Sequence, residues 1–438
     1  MSTRINNRPA PPLRGGLIAL AAFALVASAA CNSLLDVKNP GSVPEDALSD
    51  PALAPALAAG AIQTFQCGLE SFVGTAGMLS GEYLSANGFV NNHIWEWRGI
   101  VEIKQEPGTC NFGRNTTSMG FYTPLQQARF QLEDTFRRLD GFTDAQVPNR
   151  ARLMAQMRAY AGYSYLLLGE GMCEMTIDRG PLMTRAQVLA IAEDRFTDAL
   201  TRAAGFTDTA GVSILNMARV GRARTRLDLG NLAGAAEDAS LVPTGFVRNA
   251  EFAEGGVATR ENRLYNLTIR NDFLSVADAY RTLKVAKDTT GVDSVPDPRV
   301  KVRDAARKGS DGVTPIWQQQ KYLAGAGGAP IPIASWAEAQ LIYAEAVGGQ
   351  AGLDAINLVR AANGIPKITG PAPTGAAFTA LVLEERRRQL FSEGQRYVDM
   401  LRYNLPFPSG VNRKGQTYSN LTCVPLPDVE TQNNPNLH

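Results

Sequence analysis

"EERRRQLFSEGQRYVDMLRYN" runs from Glu384 to Asn404 and is the most charged stretch in a chain that is only 19% Asp, Glu, Lys and Arg. Glu385, Gln389 and Glu393 are spaced by four; Arg396, Asp399 and Arg402 follow at three. On a helix these six make one drifting polar row whose neighbours are near enough to pair. Leu383, Leu390, Val398 and Leu401 line an apolar side, with Gly394 on or near it, where another element can approach. As a catalytic acid–base pair, Glu385 and Glu393 would stand about 12 Å apart along the axis at 1.5 Å per residue. That exceeds the roughly 6.5–9.5 Å that two carboxyls need to activate a water between them. The arginines between them would also hold both acids ionised, which disfavours a proton donor. Glu385, Glu393, Arg396, Asp399 and Arg402 therefore read as structural ion pairs docking this helix against the loops that precede it.

The totals exclude more than they select. A length of 438 residues with 45% hydrophobic content allows one large domain or two to three small ones. Forty-three basic and 42 acidic residues leave a formal charge of +1, which gives no electrostatic case for nucleic acid. The two histidines are His93 and the terminal His438, a poor basis for a His-built zinc site or a triad. There is no Cys-x-x-Cys, Gly-x-Ser-x-Gly or Gly-rich phosphate loop. No cofactor, metal site or catalytic residue is expected.

The first thirty residues differ in kind. Arg4, Arg8 and Arg14 precede the apolar "GLIALAAFALVASAA" (Gly16 to Ala30), the pattern of a secretory signal too short for a comfortable membrane span. Cys31 follows directly, and "SAAC" resembles the lipobox of bacterial lipoproteins, with Ser28 where Leu is usual. The expected organisation is a signal peptide over 1–30, a lipid-anchored tether over 31–44 beginning at Cys31, and one domain over 45–438. The alternative is an ordinary secreted protein cut near Ala30. No later segment has about 18 uninterrupted apolar residues. Cys67, Cys110, Cys173 and Cys423 remain and allow three pairings. Cys67 and Cys110 flank one Gly-rich, aromatic-rich segment and are the favoured pair, while Cys173 reads equally well as an isolated buried thiol.

Between these ends, apolar spacing predicts a helix within Glu45 to Phe65 and mostly helix from Pro124 to about Leu241. Gly68 to Thr123 has weak periodicity. Met157 to Gly171, Val220 to Val242 and Ala339 to Ala362 share a helix, Gly turn, helix sense with alanines at the packing points. That resembles tetratricopeptide hairpins without a clean 34-residue period. From about Pro243 to Ile333, Gly, Pro, Asn and Asp recur, so loops and a few short strands are expected.

Glu385-Arg386, Gln389-Leu390, Glu393-Gly394, Arg396, Asp399 and Arg402 resemble the "ER..EL..EG.R..DL.R" signature of the SusD/RagB family of outer-membrane nutrient-binding lipoproteins, with Gln389 in place of the usual Glu. "SWAEAQLIYAEA" followed by "AINLVRAANGIP", the "DPRV" and "QKY" pieces, and the closing "PLPDVETQNNPNL" fall in the family's order. The resemblance is strong over about 297–438 and loose before it. It implies a mainly α, SusD-like fold with tetratricopeptide-like hairpins, long loops and a few short strands. It also implies a non-enzymatic role: a protein lipid-anchored to the outer membrane and facing the exterior, which captures an oligosaccharide or other oligomeric nutrient. A SusC-like TonB-dependent receptor would be the partner, docked on the tetratricopeptide-like side. The competing readings are a glycan-active enzyme of the envelope, marked by turnover, and a tetratricopeptide-type scaffold for envelope assembly, marked by its gene neighbours.

Sugar rings pack flat faces on aromatic rings while amides and carboxylates take their hydroxyls. Glu82 to Phe121 has the densest such mixture, with Tyr83, Asn92, His93, Trp95, Trp97 and Arg98 as candidates. On an extended segment Trp95 and Trp97 would share a face; the alternative is that they are core residues beneath a long loop. "TPIWQQQKY" supplies Trp317 and Tyr322 as a second candidate, against which stands a place in the core.

Overall fold

The structure, a computed structural model, describes residues 45, 47–110, 119–254, 261–288 and 290–437. The signal peptide, the tether and Cys31 lie outside these residues. Met1–Asp50 and Pro51–His438 separate as two units, and the second holds the hydrophobic core.

Helix Ala54–Leu79 is long and apolar enough to cross a membrane by length and composition. From Cys67 to Leu79 all of its residues are buried, including the polar Glu70, Ser71 and Thr75, as in a core helix. It runs well beyond the Phe65 limit expected from spacing, and Gly68, Gly74 and Gly77 let Leu125, Met119 and Tyr83 pack close against it. At Gly77 the ring of Tyr83 occupies the space a side chain would need. Helices Tyr122–Asp140, Arg150–Gly171, Arg185–Ala203, Thr209–Asp228 and Leu232–Ser240 follow. Their close approach has a visible cause: Gly162 and Gly221, on different helices, both face the ring of Phe196. Thr209–Asp228 with Leu232–Ser240, and Trp336–Val347 with Gly349–Ala362, are helical hairpins as the spacing predicts. After Gly171 the chain instead makes a small strand pair, Glu174–Met175 with Met183–Thr184, before its next helix.

The fold is mainly helical, and the strands among the described residues pair in two-stranded antiparallel sheets. Tyr83–Ser85 pairs with Leu274–Val276, Val247–Ala250 with Ile331–Ser335, and Val302–Lys308 with Pro315–Gln319. Disulfides join Cys67 to Cys110 and Cys173 to Cys423. Cys173 is thus no isolated thiol, and its N–H donates to Val424 O, docking the C-terminal segment on the end of helix Arg150–Gly171.

The charged stretch is two helices, not one. Ala376–Gln389 ends at a turn in which Ser392 and Gly394 both have positive φ (62° and 80°), and Gln395–Arg402 restarts behind it. Gly394 lies against Phe72 of the core helix. The break redirects the row, so most of its partners come from elsewhere. Glu385 accepts from Arg299 and Arg360, both at 2.6 Å, and Glu393 pairs with Lys321 at 2.5 Å. Asp399 takes Arg386 at 2.9 Å and Arg402 at 3.1 Å, the latter being the one pair made within the row itself. Arg402 reaches on to Glu345 at 2.7 Å. Burial alone would raise the Asp399 carboxyl, but Arg386 and Arg402 outweigh it and hold it below the usual range. Arg396 makes no ion pair among the described residues; its charge acts on the buried Glu82.

Candidate functional site

Strand Tyr83–Ser85 delivers the chain to Asn87, whose Oδ1 accepts from Phe89 N (2.8 Å) and whose Nδ2 donates to Phe273 O (3.1 Å). That brace starts helix Val90–Trp97, which ends where Arg98 turns left-handed (φ 59°). The segment is therefore helical and not extended. Trp95 and Trp97 lie about 200° apart around its axis and cannot share a face. Trp95 is 1% exposed and belongs to the core, while Trp97 is half-buried.

Several other candidates are structural in this geometry. Tyr83 and Tyr322 are buried, and both hold the signature turn: Tyr83 Oη bonds Ser392 Oγ and Tyr322 Oη donates to Ser392 O (2.9 Å). Arg98 donates to Leu421 O, Pro408 O and Ser419 O between the rings of Phe407 and Tyr418, clamping loop 407–421 onto the helix. Asn92 is fully buried, and its amide has no hydrogen-bond partner among the described residues.

His93 and Trp317 are both half-buried. Trp317 is half-buried on strand Pro315–Gln319; its N–H donates to Ser275 Oγ (2.9 Å) and the Arg281 guanidinium lies 5.4 Å from its ring centre. Ser275 stands two residues after Phe273, which meets the 47%-exposed Phe89 edge to face at 5.4 Å. Beside these rings runs a polar chain. Lys414 Nζ contacts His93 Nε2 (2.8 Å) and pairs with Asp311 (3.0 Å). Burial opposes the Asp311 charge, but hydrogen bonds from Thr314 and Val313 together with Lys414 bring its carboxyl down to about 2. Burial, with Lys414 adding to it, pushes the His93 imidazole below its usual value, so it is neutral near pH 7. Arg413 pairs with the buried Glu96 (2.9 Å), which also caps Ser85 N (2.7 Å).

This face offers flat apolar rings flanked by fixed donors and acceptors. The described residues hold no cluster of three His, Cys, Asp or Glu that could bind a metal. Arg281 and Phe273, both half-buried, and Lys414, whose side chain is nearly buried, were outside the sequence reading. Their signals were weak: each is a lone ring or cation in loop-like sequence, with Arg281 placed by the short helix Asp278–Arg281 and Lys414 by its contacts to Asn87, His93 and Asp311.

Residues 254–422 match the SusD family model. This matched region is of the SusD/RagB family. The matched region begins upstream of the 297 at which the sequence resemblance becomes strong. The whole described fold is similar to solved SusD superfamily structures. One from Parabacteroides distasonis is 13% identical with a TM-score of 0.63, covering 88% of this chain and 98% of that one. Another from Bacteroides fragilis is 15% identical with a TM-score of 0.62, covering 89% and 99%. A SusD-like carbohydrate binding protein from Bacteroides vulgatus is 14% identical with a TM-score of 0.61, covering 89% and 97%. At these identities the likeness concerns the fold. No curated protein matches the sequence.

Proposed function

We propose that this SusD/RagB protein is a non-enzymatic, surface-exposed lipoprotein that binds a carbohydrate oligomer on the face around Trp317, Phe89 and Phe273 and passes it to a SusC-like TonB-dependent transporter of the outer membrane. The observation that supports the site is the exposed Phe89 ring on Phe273, with His93, Lys414 and Asp311 linked next to it, and the partly exposed Trp317 on the strand bonded to Ser275. Rings of this kind stack on sugar faces, and neighbouring polar groups orient the hydroxyls. The carbohydrate assignment is supported by the B. vulgatus SusD-like carbohydrate binding protein of similar fold. The anchor at Cys31 and the transporter follow from family membership and the lipobox-like "SAAC".

Loss of a central stacking ring costs on the order of 2 kcal/mol, about thirtyfold in Kd. Trp317→Ala is therefore expected to weaken binding of a neutral oligosaccharide about thirtyfold, beside the loss of Tm that truncating a half-buried ring packed on the core brings. A binding oligosaccharide whose affinity is untouched by Trp317→Ala would move the site elsewhere. Hydrolysis of that oligosaccharide by the purified protein would replace the reading with an enzyme.

A further inference from the structure

A cleft of about 380 Å³ lies away from the Trp317 face, between strands Val247–Ala250 and Ile331–Ser335, the loop at Pro298–Lys301 and the signature segment. Phe246, Trp336 and Pro332 give it apolar walls. Its polar groups are not all consumed. The buried Arg299 is taken up by Asp297 and Glu385, and Lys321 by Glu393. Lys301 is exposed and makes no ion pair among the described residues, so the lining carries one uncompensated positive charge. Asn363 Nδ2 donates to Gln389 Oε1 (2.9 Å), which leaves Asn363 Oδ1 and the Gln389 amide N–H groups without protein partners among the described residues. Gln320 spends its amide N–H groups on Gln318 O and Gln319 O and keeps its Oε1 free of protein partners among them.

A spare ammonium, free amide donors and acceptors, and ring walls in a volume at the low end of small-ligand sites select for one chemistry. We infer that this cleft binds a small hydroxylated carboxylate of sugar-acid size, with Lys301 taking the carboxylate and Asn363, Gln389 and Gln320 taking hydroxyls. The inference goes beyond the oligomer-binding reading, because it uses different residues and a different ligand charge.

Isothermal titration with sodium D-glucuronate tests it. Wild type is expected to bind one equivalent, and D-glucose severalfold more weakly, since an ion pair at an exposed lysine is worth up to about fivefold. Lys301→Glu should lower glucuronate affinity at least about tenfold, and Lys301→Gln severalfold, with Tm unchanged because the side chain is exposed. Trp317→Ala should leave the titration as in wild type. The inference would be overturned by no saturable binding to wild type, by equal affinity for glucose and glucuronate, or by unchanged affinity in both Lys301 variants. Loss of binding in Trp317→Ala would do the same, by assigning the glucuronate to the aromatic face.

Discussion

Around the signature turn, Glu385, Glu393 and Asp399 are buried or nearly so, and each carboxylate is matched by cations, mostly from another part of the chain. Around Trp317 and Phe89, cations lie beside rings and at the ends of short polar chains, and the rings keep part of their surface in solvent. The two regions use the same residue types. The difference lies in how many directions each charge is held from. Arg299 is fixed by Asp297 and Glu385 together, whereas Arg281 has Asp278, itself largely exposed, and one carbonyl. Desolvated charges must be fully paired to be tolerated, so the first region tolerates little change. The second can exchange water for another partner.

The sharpest way to break this contrast is Glu385→Ala. It leaves the buried Arg299 and Arg360 short of a carboxylate and is expected to cost about 3–5 kcal/mol of folding free energy, read by denaturant unfolding. A loss under about 1 kcal/mol would mean that the signature region is not locked in this sense.

Glu82 sits at the joint between the regions. Its backbone leads into strand Tyr83–Ser85 and its Oε1 accepts from Ser392 N. Burial raises its carboxyl from 4.5 to about 7, against the pull of Ser392 N, Arg396 and Lys321. The folded state thus keeps a proton that the unfolded chain releases. The resulting stability is full below about pH 4.5 and is lost as pH rises through about 7. Glu82→Gln keeps the acceptor and removes the titration. It should be more stable than wild type at pH 8 by on the order of 1–3 kcal/mol, with the difference shrinking toward pH 4.5. A difference independent of pH would contradict the assignment.

Arg281→Ala tests the open region and should have the smallest effect. A cation near a ring at a partly exposed site is worth about 0.5–1 kcal/mol. A loss above about 3 kcal/mol would make the Trp317 face a second locked region.

Legibility in the sequence divides along the same line. The charged row was legible as structure because its own spacing argued against catalysis, and the helical hairpins because small residues recur where helices meet. The partners of the row were not legible: Arg299, Arg360, Lys321 and Glu345 are remote in sequence, and folding alone brings them together. The break at Ser392–Gly394 had a signal in "SEG", but the unbroken charge spacing masked it. The extended reading of 90–97 failed because Asn and aromatic residues hid a two-turn helix. Ile94 with Val90, and the Arg98-Gly99 ending, were the clues. Tyr83, Trp95 and Tyr322 read as ligand candidates by composition, yet their burial is set by the core helix and the signature turn.

The Cys173–Cys423 bond makes residues 173–423 a covalent ring. The ring encloses all of 254–422, the part that matches the family, and closes one residue beyond it. A single protease nick in an exposed turn such as 307–313 would open the backbone without releasing a fragment. The cut protein would migrate as one species until a reductant separated it into two.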